Sequence, residues 1–268
     1  THNPAPPILS GLVGSEMCIR DSSMGVPRSD GYFGKCNPNN IKNYRTRCSA
    51  ILQTKTDNVL IDTSPDLRAQ LIKNKINNID KVLYSHMHAD QTHGINDLRV
   101  FFLKNRKPVD IYADLPTQKY LNKTFSYCFK SNSREYPATL KMNSVKKDLY
   151  FKDGQKKIHI RSLKVKHGNV DCTCYIIDKK LAYISDVSDI NKKDFKFLKN
   201  LKYLVIDCLW YREHPSHLNL DKSLKLIDIL SPKKAILTNL HSDLDYNELK
   251  KKLRKNIVPA YDGMKINL

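Results

Sequence analysis

The 268-residue chain has one tryptophan and 9 glycines, which argues against collagen-like and low-complexity architectures. Its 7 cysteines are odd in number and no secretory segment precedes them, so a disulfide framework is not expected and a reducing, cytoplasmic compartment is. No run approaches the ~18 apolar residues that a membrane span requires. The short apolar stretch at 8–13 lacks the basic region of a signal peptide. Negative charge is scarce as well: 27 Asp+Glu stand against 46 Lys+Arg, a formal net charge of +19. That excess would attract a phosphate-bearing partner. However, 35 of the 46 are lysines, they are dispersed, and the chain is also rich in Asn and Ile, so compositional bias accounts for much of the charge. No basic glycine-rich arm and no interleaving of Arg with aromatics marks a nucleic-acid path.

What is present is enough to build a core: 40% hydrophobic residues, with 14 Tyr and 8 Phe. Residues 1–22 show no helical or strand period; they read as an artefactual or disordered extension, 13–22 looking like a translated sequencing adaptor, and residues 23–268 as one domain. Within that domain strands and helices alternate. Strands are expected at 48–52, 59–61, 81–85, 109–112, 158–166, 203–206 and 235–238, with a hairpin of 173–177 and 181–184 around Asp178-Lys179-Lys180. Helices are expected after Ser64-Pro65-Asp66, with Leu67, Leu71 and Ile72 on one face; through Leu220, Leu224 and Ile227 up to Ser231-Pro232; and after Asp245. Residues 116–149 read as a polar, aromatic-flecked insertion, either a lid or core packing. Two β-rich halves, each ending in helices, suggest sheets stacked face to face with helices outside.

The chemistry concentrates where the 81–85 strand runs into His86-Met87-His88-Ala89-Asp90. In an extended segment side chains at i, i+2 and i+4 point the same way, so two imidazoles and a carboxylate would converge. Neutral imidazole and carboxylate suit zinc, and also manganese or iron. His167 continues the inward row of Leu163 and Val165, and Asp186 ends a hydrophobic strand where an uncompensated carboxylate would be costly.

These motifs in this order resemble the metallo-β-lactamase superfamily. Met24-Gly25-Val26-Pro27-Arg28, the run 43–49, Ile61-Asp62-Thr63-Ser64-Pro65-Asp66 and His93-Gly94-Ile95-Asn96-Asp97 resemble its branch of phosphoribosyl cyclic phosphate phosphodiesterases. The resemblance implies an α/β fold, the αββα four-layer sandwich, with the metals at one edge between the sheets. It implies that His86, His88 and His167 hold a first metal, that Asp90 belongs to a second, that Asp186 bridges both and that Asp62 orients a ligand from behind. His217 matches a proton-donating active-site histidine, and Asp90 is its companion in catalysis. The implied activity is hydrolysis of a small cyclic or nucleotide-like phosphodiester by hydroxide generated at zinc or manganese. Hydrolysis of a carboxylic ester, lactone or thioester on the same scaffold is the alternative, and a nuclease ranks behind both.

Two positions depart from the pattern. Gln91 and Asn239 stand where the family carries second-metal histidines, and an amide oxygen is a weak, uncharged ligand. One strong site is therefore expected, with the second weakened or absent unless His93 or His241 replaces the missing ligand. His241, two residues beyond Asn239 on a stretch read as extended, is the better replacement. Only Cys36 occupies the N-terminal loop, so a structural zinc there is not expected. The expected partner is a small phosphate ester; no membrane contact is expected, and a homodimer stays open.

Overall fold

Side-chain alternation along the strands distributes the apolar residues over three cores. In the computed structural model the described residues are 16–19, 24–131, 133 and 135–268. The strands among them are β1 (Glu16–Ile19), β2 (Ala50–Gln53), β3 (Asn58–Ile61), β4 (Lys81–Leu83), β5 (Val109–Ala113), β6 (Leu140–Ser144), β7 (Asp148–Asp153), β8 (Lys156–His167), β9 (Val170–Ile177), β10 (Leu181–Ile184), β11 (Tyr203–Asp207), β12 (Lys234–Thr238), β13 (Ile257–Pro259) and β14 (Met264–Asn267). The helices are α1 (Leu67–Lys73), α2 (Ala89–Thr92), α3 (Arg99–Asn105), α4 (Leu115–Thr124), α5 (Ser126–Phe129), α6 (Phe195–Leu198), α7 (Leu220–Leu230) and α8 (Tyr246–Lys252).

One sheet runs β14-β1-β2-β3-β4-β5-β6, the other β13-β12-β11-β10-β9-β8-β7. Leu52 and Ile61 of the first meet Ile160, Tyr175, Tyr183 and Val205 of the second in the core between the sheets. Their neighbours on the opposite faces, Ile51 and Leu60, pack on Leu67, Leu71, Phe101 and Leu121 of the helices outside the first sheet. Ala182 and Ile184 likewise face Leu198, Ile227 and Leu249 outside the second. The four layers are therefore helix, sheet, sheet, helix, as expected.

Several local expectations need correction. Glu16–Ile19 pair with β2 and β14, and Met17 is fully buried, so these four residues belong to the first sheet. The other residues of 1–22 lie outside the described residues. Residues 116–149 are no insertion: α4, α5 and β6 complete the edge of the first sheet, and Phe125 and Cys128 enter its outer core. The helical aromatics there are too widely spaced to reveal an apolar stripe in the sequence. Ile72 is 64% exposed, which leaves Leu67 and Leu71 as the buried face of α1. The 173–184 hairpin forms as expected, its turn carrying left-handed Asp178 and Lys179.

The loop ahead of β2 is fixed from the other end of the chain. Arg45, 2% exposed, donates to the carbonyls of Leu244 and His241 and to Asn43. Asp245 caps α8 through the amides of Asn247 and Glu248 and also accepts from Asn37 N and Asn43 Nδ2.

Candidate metal centre

Parallel strands present their C-terminal ends at one edge, and the residues that follow them build the site. β3 is followed by Asp62, whose left-handed backbone (φ 62°) turns the chain sharply. Its buried carboxylate accepts from Ser85 N and Ser85 Oγ, both at 2.7 Å. Burial pushes Asp62 well above the usual carboxylate range. The loop after β4 is held further by Thr173 N donating to the Ser85 carbonyl and Tyr175 Oη to the Tyr84 carbonyl. His86 follows, 2% exposed.

The tautomers follow from these bonds. Ser85 Oγ donates to Asp62, so it accepts from His86 Nδ1 at 3.0 Å and leaves the lone pair on His86 Nε2. His167, the last residue of β8, donates its Nδ1–H to the Ser216 carbonyl at 2.7 Å, so its Nε2 also carries a lone pair. Gly168 permits that approach: a Cβ there would stand 2.9 Å from Ser216 Cβ. Both lone pairs face His88 Nδ1, at 2.9 and 3.2 Å. One N–H on His88 could satisfy only one of them. Burial pushes His86 down to about 3, so protonation of that ring does not relieve the crowding. Converging neutral imidazoles with a lone pair left over fit a divalent cation.

Asp186, two residues past β10, stands in a second group with His167 and His217 whose ligand atoms lie within 4.8 Å of one another. Burial raises its carboxyl, but the facing imidazoles of His86, His217 and His167 outweigh burial and hold it low. Gln91 Nε2 donates to Asp186 Oδ2 at 3.3 Å and to Asp90 Oδ2 at 3.1 Å. Asn239 Nδ2 donates to Asp186 Oδ1 at 3.3 Å. Both amides therefore present N–H groups to the carboxylates rather than the oxygens expected from the sequence, because an oxygen there would face a negative charge. Asp90 lies in α2, not in an extended run; it lines the cavity, and burial followed by the Asp186 charge raises it to about 7.

His217 donates Nδ1–H to Asp207 Oδ2 at 2.8 Å. Burial lowers its pKa, but Asp207 prevails and raises it to about 9, while burial raises Asp207 to about 6. Asp207 is the functional residue missing from the sequence reading. Its signal was available, since it ends β11 as Asp186 follows β10. A cavity of about 820 Å³ opens over the group, with His88, Asp90, His167, Asp186 and His217 on its wall.

The structure does not bring His241 there. Among the described residues it joins neither ligand group; its Nδ1 accepts from Asp243 N at 3.2 Å and its ring lies 4.9 Å from Trp210. The extended reading failed at Asn239, whose left-handed φ of 64° breaks the alternation. His93 lines the cavity but bonds Tyr120 Oη at 3.0 Å and also joins neither group.

The family described as the beta-lactamase superfamily domain matches residues 57–239, about two thirds of the chain. The chain belongs to that superfamily. It is a metal-dependent hydrolase of the metallo-β-lactamase type, and its likeness to PhnP-type enzymes is borne out by a crystal structure of a new diphosphatase from the PhnP family. The two share 28% identity over 95% of this chain and 97% of that one, with a TM-score of 0.85. Zn(2+)-bound PqqB from Methylobacterium extorquens shares the fold, with a TM-score of 0.73 at 14% identity over 94% of this chain and all of that one. A curated octanoyltransferase of Porphyromonas gingivalis is 30% identical over 91% of this chain; the chain spans about half the length of that relative. Among the described residues no helix of this superfamily member is long and apolar enough to cross a membrane.

Proposed function

We propose that this superfamily member is a phosphodiesterase for a small cyclic or nucleotide-like phosphate, working with one zinc or manganese ion held by His86, His88, His167 and Asp186. The observation that carries the metal assignment is the approach of His86 Nε2 and His167 Nε2 to His88 Nδ1 at 2.9 and 3.2 Å, with their other ring nitrogens already committed. A divalent ion there would polarise the phosphoryl oxygen and lower the pKa of water from about 15.7 toward about 7. The chain's own residues do the rest. Asp62 and Ser85 fix the His86 ring, and the Ser216 carbonyl fixes His167. His217, fixed at Nδ1 by Asp207, keeps Nε2 for protonating the leaving oxygen, with Asp90 across the same cavity. Gln91 and Asn239 turn N–H groups, which cannot coordinate a cation, toward Asp90 and Asp186 where second-metal ligands would be needed, which supports a single ion.

The octanoyltransferase relative favours one second reading: hydrolysis of a carboxylic ester, lactone or thioester by the same centre. Metal analysis of the purified protein, with turnover of bis-p-nitrophenyl phosphate, cyclic nucleotides, a lactone and a thioester, separates the two. One equivalent of metal with phosphodiester turnover supports the first reading. Turnover of the acyl substrates alone replaces it with the second.

A further inference from the structure

A second cavity, of about 640 Å³, lies outside the first sheet between α3 and the stretch from α5 to β6, and it shares no wall residue with the metal cavity. Its wall includes Arg99 and Arg106, and the local energetics of α3 explain neither. Arg99 is the first residue of the helix, where the dipole disfavours a cation. Arg106 gains from the dipole at the other end, but as a left-handed cap (φ 53°) it holds a conformation that glycine adopts with less strain. Among the described residues neither guanidinium has a hydrogen bond or an ion pair. Those of Arg28, Arg45, Arg47, Arg161 and Arg254 rest on aspartates or carbonyls, and that of Arg212 on the Trp210 ring. Glu135, on the same wall, pairs with neither arginine, so the wall keeps one net positive charge. The remaining wall is aromatic. Tyr127 is 53% exposed although its hydroxyl donates to Asn96 Oδ1 at 2.5 Å, and Tyr136 is 64% exposed. Phe102 and Leu103 lie between the arginines, which stand about 10 Å apart along the helix axis. Among the described residues none of the three rings meets another ring or a cation. A solitary exposed arginine or tyrosine is ordinary; two unpaired guanidiniums and three unpaired rings around one cavity are not.

We propose that this cavity is a binding site, separate from the metal centre, for a small planar aromatic anion: a ring system that carries a carboxylate or a phosphate. Phe102, Tyr127 and Tyr136 supply the apolar faces and edges against which a flat ring packs. A guanidinium offers the planar fork of donors that carboxylate and phosphate oxygens accept in pairs. The same group also stacks on aromatic faces, so with the two arginines at opposite ends one holds the anionic group and the other lies against the ring system. At about 640 Å³ the cavity has room for two fused rings and their acidic substituent. A neutral molecule of the same shape would leave both guanidiniums without a counter-charge.

The test is calorimetric titration of the zinc-loaded protein with 2-naphthoate, 2-naphthyl phosphate and the neutral 2-naphthylmethanol, in wild type, Arg99→Gln and Arg106→Gln. At least one of the two anions is expected to bind wild type about tenfold or more tighter than the alcohol, and to lose about tenfold or more in each variant. Whichever anion binds more tightly identifies the acidic group. Neither arginine makes an intramolecular bond among the described residues, so both variants are expected to fold, which far-ultraviolet circular dichroism checks. Binding of an anion at the metal would be the same in all three proteins. Affinities within twofold of wild type in both variants therefore overturn the proposal. So does an alcohol that binds as tightly as the anions, which would make the cavity a mere apolar patch, and so does the absence of binding by either anion.

Discussion

Replacing both Gln91 and Asn239 by histidine tests whether the two amides stand in for a second cation. In the wild type each amide donates one N–H to Asp186, at 3.3 Å, and Gln91 adds another to Asp90 at 3.1 Å. Hydrogen bonds to charged groups contribute about 1.5–3 kcal/mol each, so from the two bonds to Asp186 alone the metal-free double variant should lose about 3–6 kcal/mol of unfolding free energy. A bound ion at a hundred times its Kd returns about 2.7 kcal/mol. Wild type should recover that amount once and the double variant twice. The assays are metal content per chain by elemental analysis and denaturant unfolding with and without chelator. We expect one equivalent in wild type and two in Gln91→His/Asn239→His. Two equivalents in wild type would refute the reasoning; so would a metal-free double variant as stable as metal-free wild type, because the amides would then not be supporting Asp186.

Four further outcomes follow from the same structure. Gly94→Ala would place a Cβ 2.0 Å from the Ser64 carbonyl oxygen, a rigid backbone atom, so a loss of about 3 kcal/mol or more is expected in urea unfolding; an unshifted midpoint contradicts the packing. Asp245 is held below the usual carboxylate range because the amides of Glu248, Asn37 and Asn247 and the Asn43 side chain together outweigh burial. Its stabilisation is therefore present above the unfolded value of about 3.9 and lost as pH falls through the lower folded one. Asp245→Asn should flatten that acid limb in urea midpoints, and an unchanged limb counts against the assignment. His86→Ala should abolish metal content and activity together while far-ultraviolet circular dichroism is kept; an active, metal-free variant would dismiss the centre. His241→Phe should retain full metal content, whereas its loss would restore the ligand role that the geometry denies.

The architecture was legible because strand alternation survives translation into burial: even-numbered Ile158 and Ile160 face the core between sheets, odd-numbered Leu163 and Val165 the outer one. His167 follows in the odd row and arrives at the site on that account. The same rule misled wherever a backbone dihedral broke it. Asn239 in the left-handed region sends His241 to Trp210, and α2 begins at Ala89, so Asp90 reaches the cavity from a helix rather than an extended run. Neither event leaves a periodic trace. Residue identity fared better than direction. Gln91 and Asn239 announced a weakened second site, but an amide has an oxygen and a nitrogen, and the sequence is silent on which faces Asp186. That choice is made by charge: two carboxylates 96 positions apart in the chain meet beside one amide, and only its N–H side can lie between them. The absence of two histidines thus alters more than ligand count, since the groups replacing them direct N–H donors at the carboxylates from within the pocket. Restoring metal there requires removing those donors as well as supplying imidazoles, which is why the double substitution, and not an added ligand elsewhere, is the decisive one.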